Sequence, residues 1–203
     1  MEPHTPRDRA LRPVEPQPGV LVHPTADRRL AVEHWLLATA PTPEARSEAR
    51  MYWREHGTAA LRLGTLFSAV RIPGRLVHAV ADCDYAADKF DEHAQHVDEF
   101  LDQALDGGPV ICDPRYRRYY ALVPASMPST WRLANDDWRV MDVDCLGLGC
   151  ALGVPKADAV DFNPAKWDSY WSVPMSSPGV LCAGLDVARL IAAARHQLAE
   201  LEG

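Results

Sequence analysis

The chain is short of several things, and each absence narrows what it can be. None of its 203 residues lie in an uninterrupted apolar run of 18, so no membrane-spanning helix is expected. The first 30 residues contain no apolar core of a secretory leader, which points to a cytoplasmic location. Positive charge is scarce: 21 Lys plus Arg stand against 28 Asp plus Glu, a net charge of -7. Such a chain is a poor counterion for a phosphate backbone, which disfavours nucleic acid as a partner unless basic residues cluster. Cysteine is sparse and unpaired in pattern. Cys83, Cys112, Cys145, Cys150 and Cys182 form no C-x-x-C, and their odd number fits free thiols in a reducing compartment. Cys145 and Cys150 lack the two further ligands that a tetrahedral metal site needs. G-x-S-x-G, the Walker A motif and G-x-G-x-x-G are also missing, so no sequence signature marks nucleophile-base or phosphate-loop chemistry.

What is present is the composition of an ordinary globular protein, 47% apolar and 24% charged, long enough to bury a core without staples. Six of the 17 prolines fall in residues 1–27, which read as a flexible tail, with Val20-Leu21-Val22 as a short piece able to dock. Residues 28–203 read as a single α+β domain. Val32, Trp35 and Leu36 give one helix face, and Thr42-Pro43-Glu44 caps a second helix that Gly57 ends, so 28–57 is expected to be a helical hairpin. Residues 58–203 are expected to form a mixed or antiparallel sheet with a long helix over 84–106 and a C-terminal helix over 186–201. Strands are expected around 60–64, 67–73, 110–112, 119–123, 138–144 and 170–174. Residues 76–80 fit either strand or helix. Gly147, Gly149 and Gly153 alternate with apolar residues as in a closely approached strand or a loop.

Four groups of residues suggest chemistry. Arg115-Tyr116-Arg117-Arg118-Tyr119-Tyr120 interleaves cations with aromatics, so Arg115, Arg117, Arg118 and Tyr119 are candidates for gripping phosphate and stacking bases. Solvated arginines feeding a strand that buries a tyrosine are the alternative. Asp142-Val143-Asp144 would place two carboxylates on one face of a strand, a pair able to hold Mg²⁺ for phosphoryl transfer. The alternative is a half-buried strand with a polar face. Asp82-Cys83-Asp84 precedes the long helix and reads as capping. His93, His96 and Glu99 read as a polar helix face, and His78 as a core or edge histidine.

Tyr119-Tyr120-Ala121-Leu122-Val123-Pro124, then Trp131, then Cys145-Leu146-Gly147-x-Gly149 running into Leu152-Gly153-Val154-Pro155 form an ordered set. Tyr170-Trp171-Ser172-Val173-Pro174 and Pro178-Gly179-Val180-Leu181-Cys182 complete it. In these segments, and in Gly64 with Val70-Arg71-Ile72-Pro73, the chain resembles small actinobacterial proteins related to the N-terminal domain of bifunctional DNA primase/polymerases, over about residues 57–200. The resemblance implies a primase-polymerase scaffold, and in an active member a carboxylate pair, a divalent metal, a histidine and basic residues. Here Asp142 and Asp144 follow the tyrosine strand where the acidic pair should precede it, and that strand lacks the histidine. The expectation is therefore a degenerate member with a binding or regulatory role and no cofactor. An active metal-dependent nucleotidyltransferase, which alone would need Mg²⁺, is the alternative. A third reading is a protein-interaction module, binding another protein or itself through some of the six tryptophans.

Overall fold

The structure, a computed structural model, describes residues 24–85 and 90–201. The expected tail lies outside the described residues except for Pro24–Asp27, which form the first turn of helix α1 (Pro24–Leu37). Helix α2 (Pro43–His56) shows how local chemistry sets both of its ends. The Thr42 side chain accepts a hydrogen bond from the Ala45 N–H at 3.2 Å, Pro43 supplies a preset φ in the first turn, and Gly57 takes the left-handed conformation that closes the helix. Trp53 on this helix is buried, and its indole N–H reaches the Val154 carbonyl at 2.8 Å.

The described residues form two antiparallel sheets. In the smaller, β1 (Thr58–Arg62) pairs with β6 (Ala151–Pro155), nearly a hundred residues later in the chain. The larger has five strands: β2 (Phe67–Pro73), β3 (Val110–Asp113), β4 (Arg118–Pro124), β5 (Asp144–Leu146) and β7 (Tyr170–Val173). Their spatial order is β5-β2-β4-β3-β7, and every pairing is antiparallel. The α+β class read from the sequence is therefore the class observed.

Alternation along the strands divides the core in two. One face of the large sheet carries Val70, Ile72, Val110, Cys112, Tyr119, Ala121 and Val123. It is covered by helices α3 (Gly74–Val80), α4 (Phe90–Ala104) and α7 (Gly184–Leu201). The other face carries Phe67, Ala69, Ile111, Leu122 and Trp171. It is covered by the α1–α2 hairpin and the small sheet through Leu36, Leu37, Trp53, Leu61 and Val154.

One expected strand is not a strand. Residues 132–141 continue helically, as α6 (Arg132–Trp138) and a 3₁₀ turn (Arg139–Met141), after a one-turn helix α5 (Met127–Thr130). Asp142 then takes a left-handed conformation at φ 63°, and the extended backbone begins only at Asp144. The alternation of Met141 and Val143 with aspartates mimics a half-buried strand. What decides the outcome is the burial of Trp138 and Asn135 on the inner side of a short helix. Residues 76–80 belong to α3, and the described part of the long helix starts at Phe90, so Asp82 follows α3 at φ 53° rather than adjoining that start.

Candidate functional site

The half of the second sheet face left uncovered by the hairpin carries charge. Its centre is Arg71, the one charged residue of the largely apolar strand β2. In the sheet register Arg71 stands directly opposite Asp144 on β5 and Tyr120 on β4. Directly opposed residues share a face, so these three side chains lie side by side. Two residues further along, Arg118 and Asp113 oppose each other on the same face.

Every carboxylate of the predicted pair is engaged by an arginine. The Arg71 guanidinium donates to Asp142 Oδ1 at 3.1 Å. Arg139 donates through Nε to Asp144 Oδ1 and through Nη1 to Asp136 Oδ1, each at 3.4 Å. Asn135 adds a contact from Nδ2 to Asp144 at 3.4 Å, while its Oδ1 accepts the Cys145 N–H at 2.8 Å. Arg75 donates to the Met141 carbonyl at 2.9 Å, which ties α3 to the turn bearing Asp142. The Arg71 Nε is buried and has no hydrogen-bond partner among the described residues. Chemically this is a cationic centre with flanking anions. Because Asp142 sits in a left-handed turn and Asp144 on β5, the two do not share one strand face as the sequence spacing suggested.

The arginine-tyrosine cluster is dispersed by the β3–β4 turn. Arg115 and Tyr116 are exposed at its tip. Arg117, at φ 53°, turns back: it donates to the Tyr85 carbonyl at 2.9 Å and lies 4.4 Å over the Tyr85 ring. Arg118 joins the Arg71 face. Tyr119 is fully buried on the opposite face, its hydroxyl 3.3 Å from His78 Nε2, so its ring is not a surface on which a base can stack. Sequence reasoning passed over Arg71 as a site residue. The signal was there: a lone cation inside Phe67-Ser68-Ala69-Val70-Arg71-Ile72-Pro73.

Beneath the first face runs a partly buried polar network. His78 is held neutral, its pKa lowered to about 4 chiefly by burial. Asp98 on α4 accepts from the Ser172 hydroxyl and, at 3.2 Å, from the Tyr170 hydroxyl. Burial nonetheless raises its pKa to about 7. Burial likewise pushes the Cys145 and Cys182 thiols up to about 12, so both are protonated and inert near neutrality. His96 donates to the Ala81 carbonyl at 3.0 Å. Among the described residues no group of three His, Cys, Asp or Glu side chains is arranged to hold a metal ion.

The tryptophans serve the core. Trp53, Trp138 and Trp171 are buried and Trp35, Trp131 and Trp167 half-buried. Among the described residues, the large apolar side chains most open to solvent are Leu133, Val140 and Leu148, at 79%, 89% and 85% exposure. No family model, curated protein or solved structure matches the chain.

Proposed function

We propose that the protein is a binding or regulatory module built on a primase/polymerase-like scaffold, and that it does not transfer nucleotides. The observation that supports this reading is the position of Arg71. Guanidiniums already engage both carboxylates, Arg71 on Asp142 and Arg139 on Asp144, whereas the nucleotidyltransferase reading needs that pair as unneutralised metal ligands. A divalent ion there would have to displace a guanidinium already bonded to the carboxylate. The ligand-facing surface of this reading is the charged face itself, with Arg71, Arg118 and Arg139 as cations and half-buried Tyr120 as its apolar floor.

The test is a primer-extension and primer-synthesis assay in Mg²⁺ and in Mn²⁺ with the purified chain. No product is expected. Product that disappears in Asp142→Ala or Asp144→Ala would establish the nucleotidyltransferase instead.

A protein partner is the second reading, and a specific observation favours it. Leu133 and Val140, seven residues apart along α6 and the following turn, are both strongly exposed. A self-association or pull-down experiment in which Leu133→Glu abolishes the complex would assign the partner-binding surface to this helix.

A further inference from the structure

A second site lies away from the Arg71 face, between the two helices of the hairpin and the small sheet. A groove of about 410 Å³ is lined by Glu33, Ser47, Arg50, Trp53, Arg54 and Lys156. Its volume falls in the range of small-molecule sites. Its walls are firmly placed. The Trp53 indole bonds the Val154 carbonyl at 2.8 Å, and the Lys156 N–H bonds the Gly57 carbonyl at 2.9 Å. These two bonds fix α2 against the end of β6, and with it the spacing of the cations.

The charge arrangement is unusual for an acidic chain. Arg50 and Arg54 stand one helical turn apart on the same face of α2 and repel each other. Neither side chain has an ion pair or hydrogen bond among the described residues. Lys156 adds a third positive charge, held 2.7 Å from Asp158 at the groove's edge. Ser47 donates its hydroxyl proton to the Pro43 carbonyl, so the cations carry recognition. The groove flanks the C-terminal half of α2, where the helix dipole disfavours an anion, which makes side-chain cations the necessary source of attraction. Two guanidiniums and an ammonium exceed what a single carboxylate needs and match a multiply charged, fork-accepting anion.

We propose that this groove binds a phosphate-bearing ligand. Arg50 and Arg54 grip its non-bridging oxygens, Lys156 swings from Asp158 to join them, and Glu33 accepts from a hydroxyl or amino group on the ligand's body. The proposal does not depend on the primase-like reading, since none of these residues belongs to the Arg71 face. Two sources share this chemistry: a free nucleotide or phosphate ester, and the backbone of a single-stranded nucleic acid.

The test is calorimetric titration of the full chain with pyrophosphate, with ATP and with a short single-stranded DNA at low and raised ionic strength. Binding is expected to weaken as salt rises. The double variant R50A/R54A should lose at least about tenfold in affinity. Glu33→Gln, which removes the opposing carboxylate, should tighten binding of pyrophosphate severalfold, a gain that misfolding cannot produce. Arg195→Ala, an exposed arginine on α7, should leave binding unchanged. Binding of the small phosphates assigns a free ligand, and binding of the oligonucleotide alone assigns the backbone. Absence of binding by all three probes at millimolar concentration, or equal affinity of the wild type and R50A/R54A, overturns the proposal.

Discussion

Single residues decide what the edge of the large sheet can do. Asn135 uses both ends of its amide: the oxygen takes the outward N–H of Cys145 on β5, and the nitrogen leans on Asp144. Both the residue and the peptide it serves are buried. Asn135→Ala should cost about 1–3 kcal/mol, because a buried donor is left without a partner. Urea denaturation measures it. Asn135→Asp should recover only part, since it restores the acceptor but sets a second negative charge beside Asp144. Arg71 acts on the same strand pair from the other side. It neutralises Asp142 while Arg139 pairs with Asp144 and Asp136, and a mid-strand cation of this kind is the feature of the charged face most visible in the sequence.

At the scale of elements, two glycines with similar backbones separate strain from crowding. Gly64 has φ 87° in the tight turn between β1 and β2, and a β-carbon there would meet the Leu148 backbone nitrogen at 2.5 Å. Gly149 has φ 89° but open space around it. Gly149→Ala should therefore cost about 1 kcal/mol, the conformational penalty alone. Gly64→Ala should cost more than about 2 kcal/mol, because backbone must also move. Thermal melts of the two variants give the difference directly. Elements with their own local signals were legible in the sequence: the Thr42-Pro43 cap and Gly57 stop of α2, the alternation of β2, and the apolar stripe of α4. Elements set by tertiary contact were not. The stretch from Trp138 to Asp144 alternates like a strand, yet Trp138 is buried from a helix and Asp142 turns left-handed. The charged face was legible only in pieces, because the register that sets Arg71 beside Asp144 joins residues more than seventy positions apart.

For the whole molecule, buried His78 and half-buried Asp98 give stability opposite dependences on pH. His78 stays neutral in the fold down to about pH 4, whereas the unfolded chain takes up the proton near 6.5. Its contribution is present above 6.5 and lost as pH falls toward 4. Asp98 ionises in the fold only near pH 7. Its contribution is present below the ordinary carboxyl pKa, about 4, and lost as pH rises through about 7. Each effect has an upper limit of about 3–4 kcal/mol. Between pH 4 and 6.5 the two slopes offset each other. Urea unfolding at a series of pH values should show His78→Gln gaining stability on acidification and Asp98→Asn losing it more steeply than the wild type. Parallel profiles for all three proteins would exclude this pairing of effects.

The pairing of β1 with β6 has a consequence for how the chain is made. Residues 58–62 find their partner only after residue 155 has been synthesised, and β7 at 170–173 completes the larger sheet later still. Until then the Phe67–Leu122 side of β2 and β4 has no small sheet to cover it. A ribosome carrying this nascent polypeptide should hold it in a form that chaperones recognise until β6 and β7 have emerged.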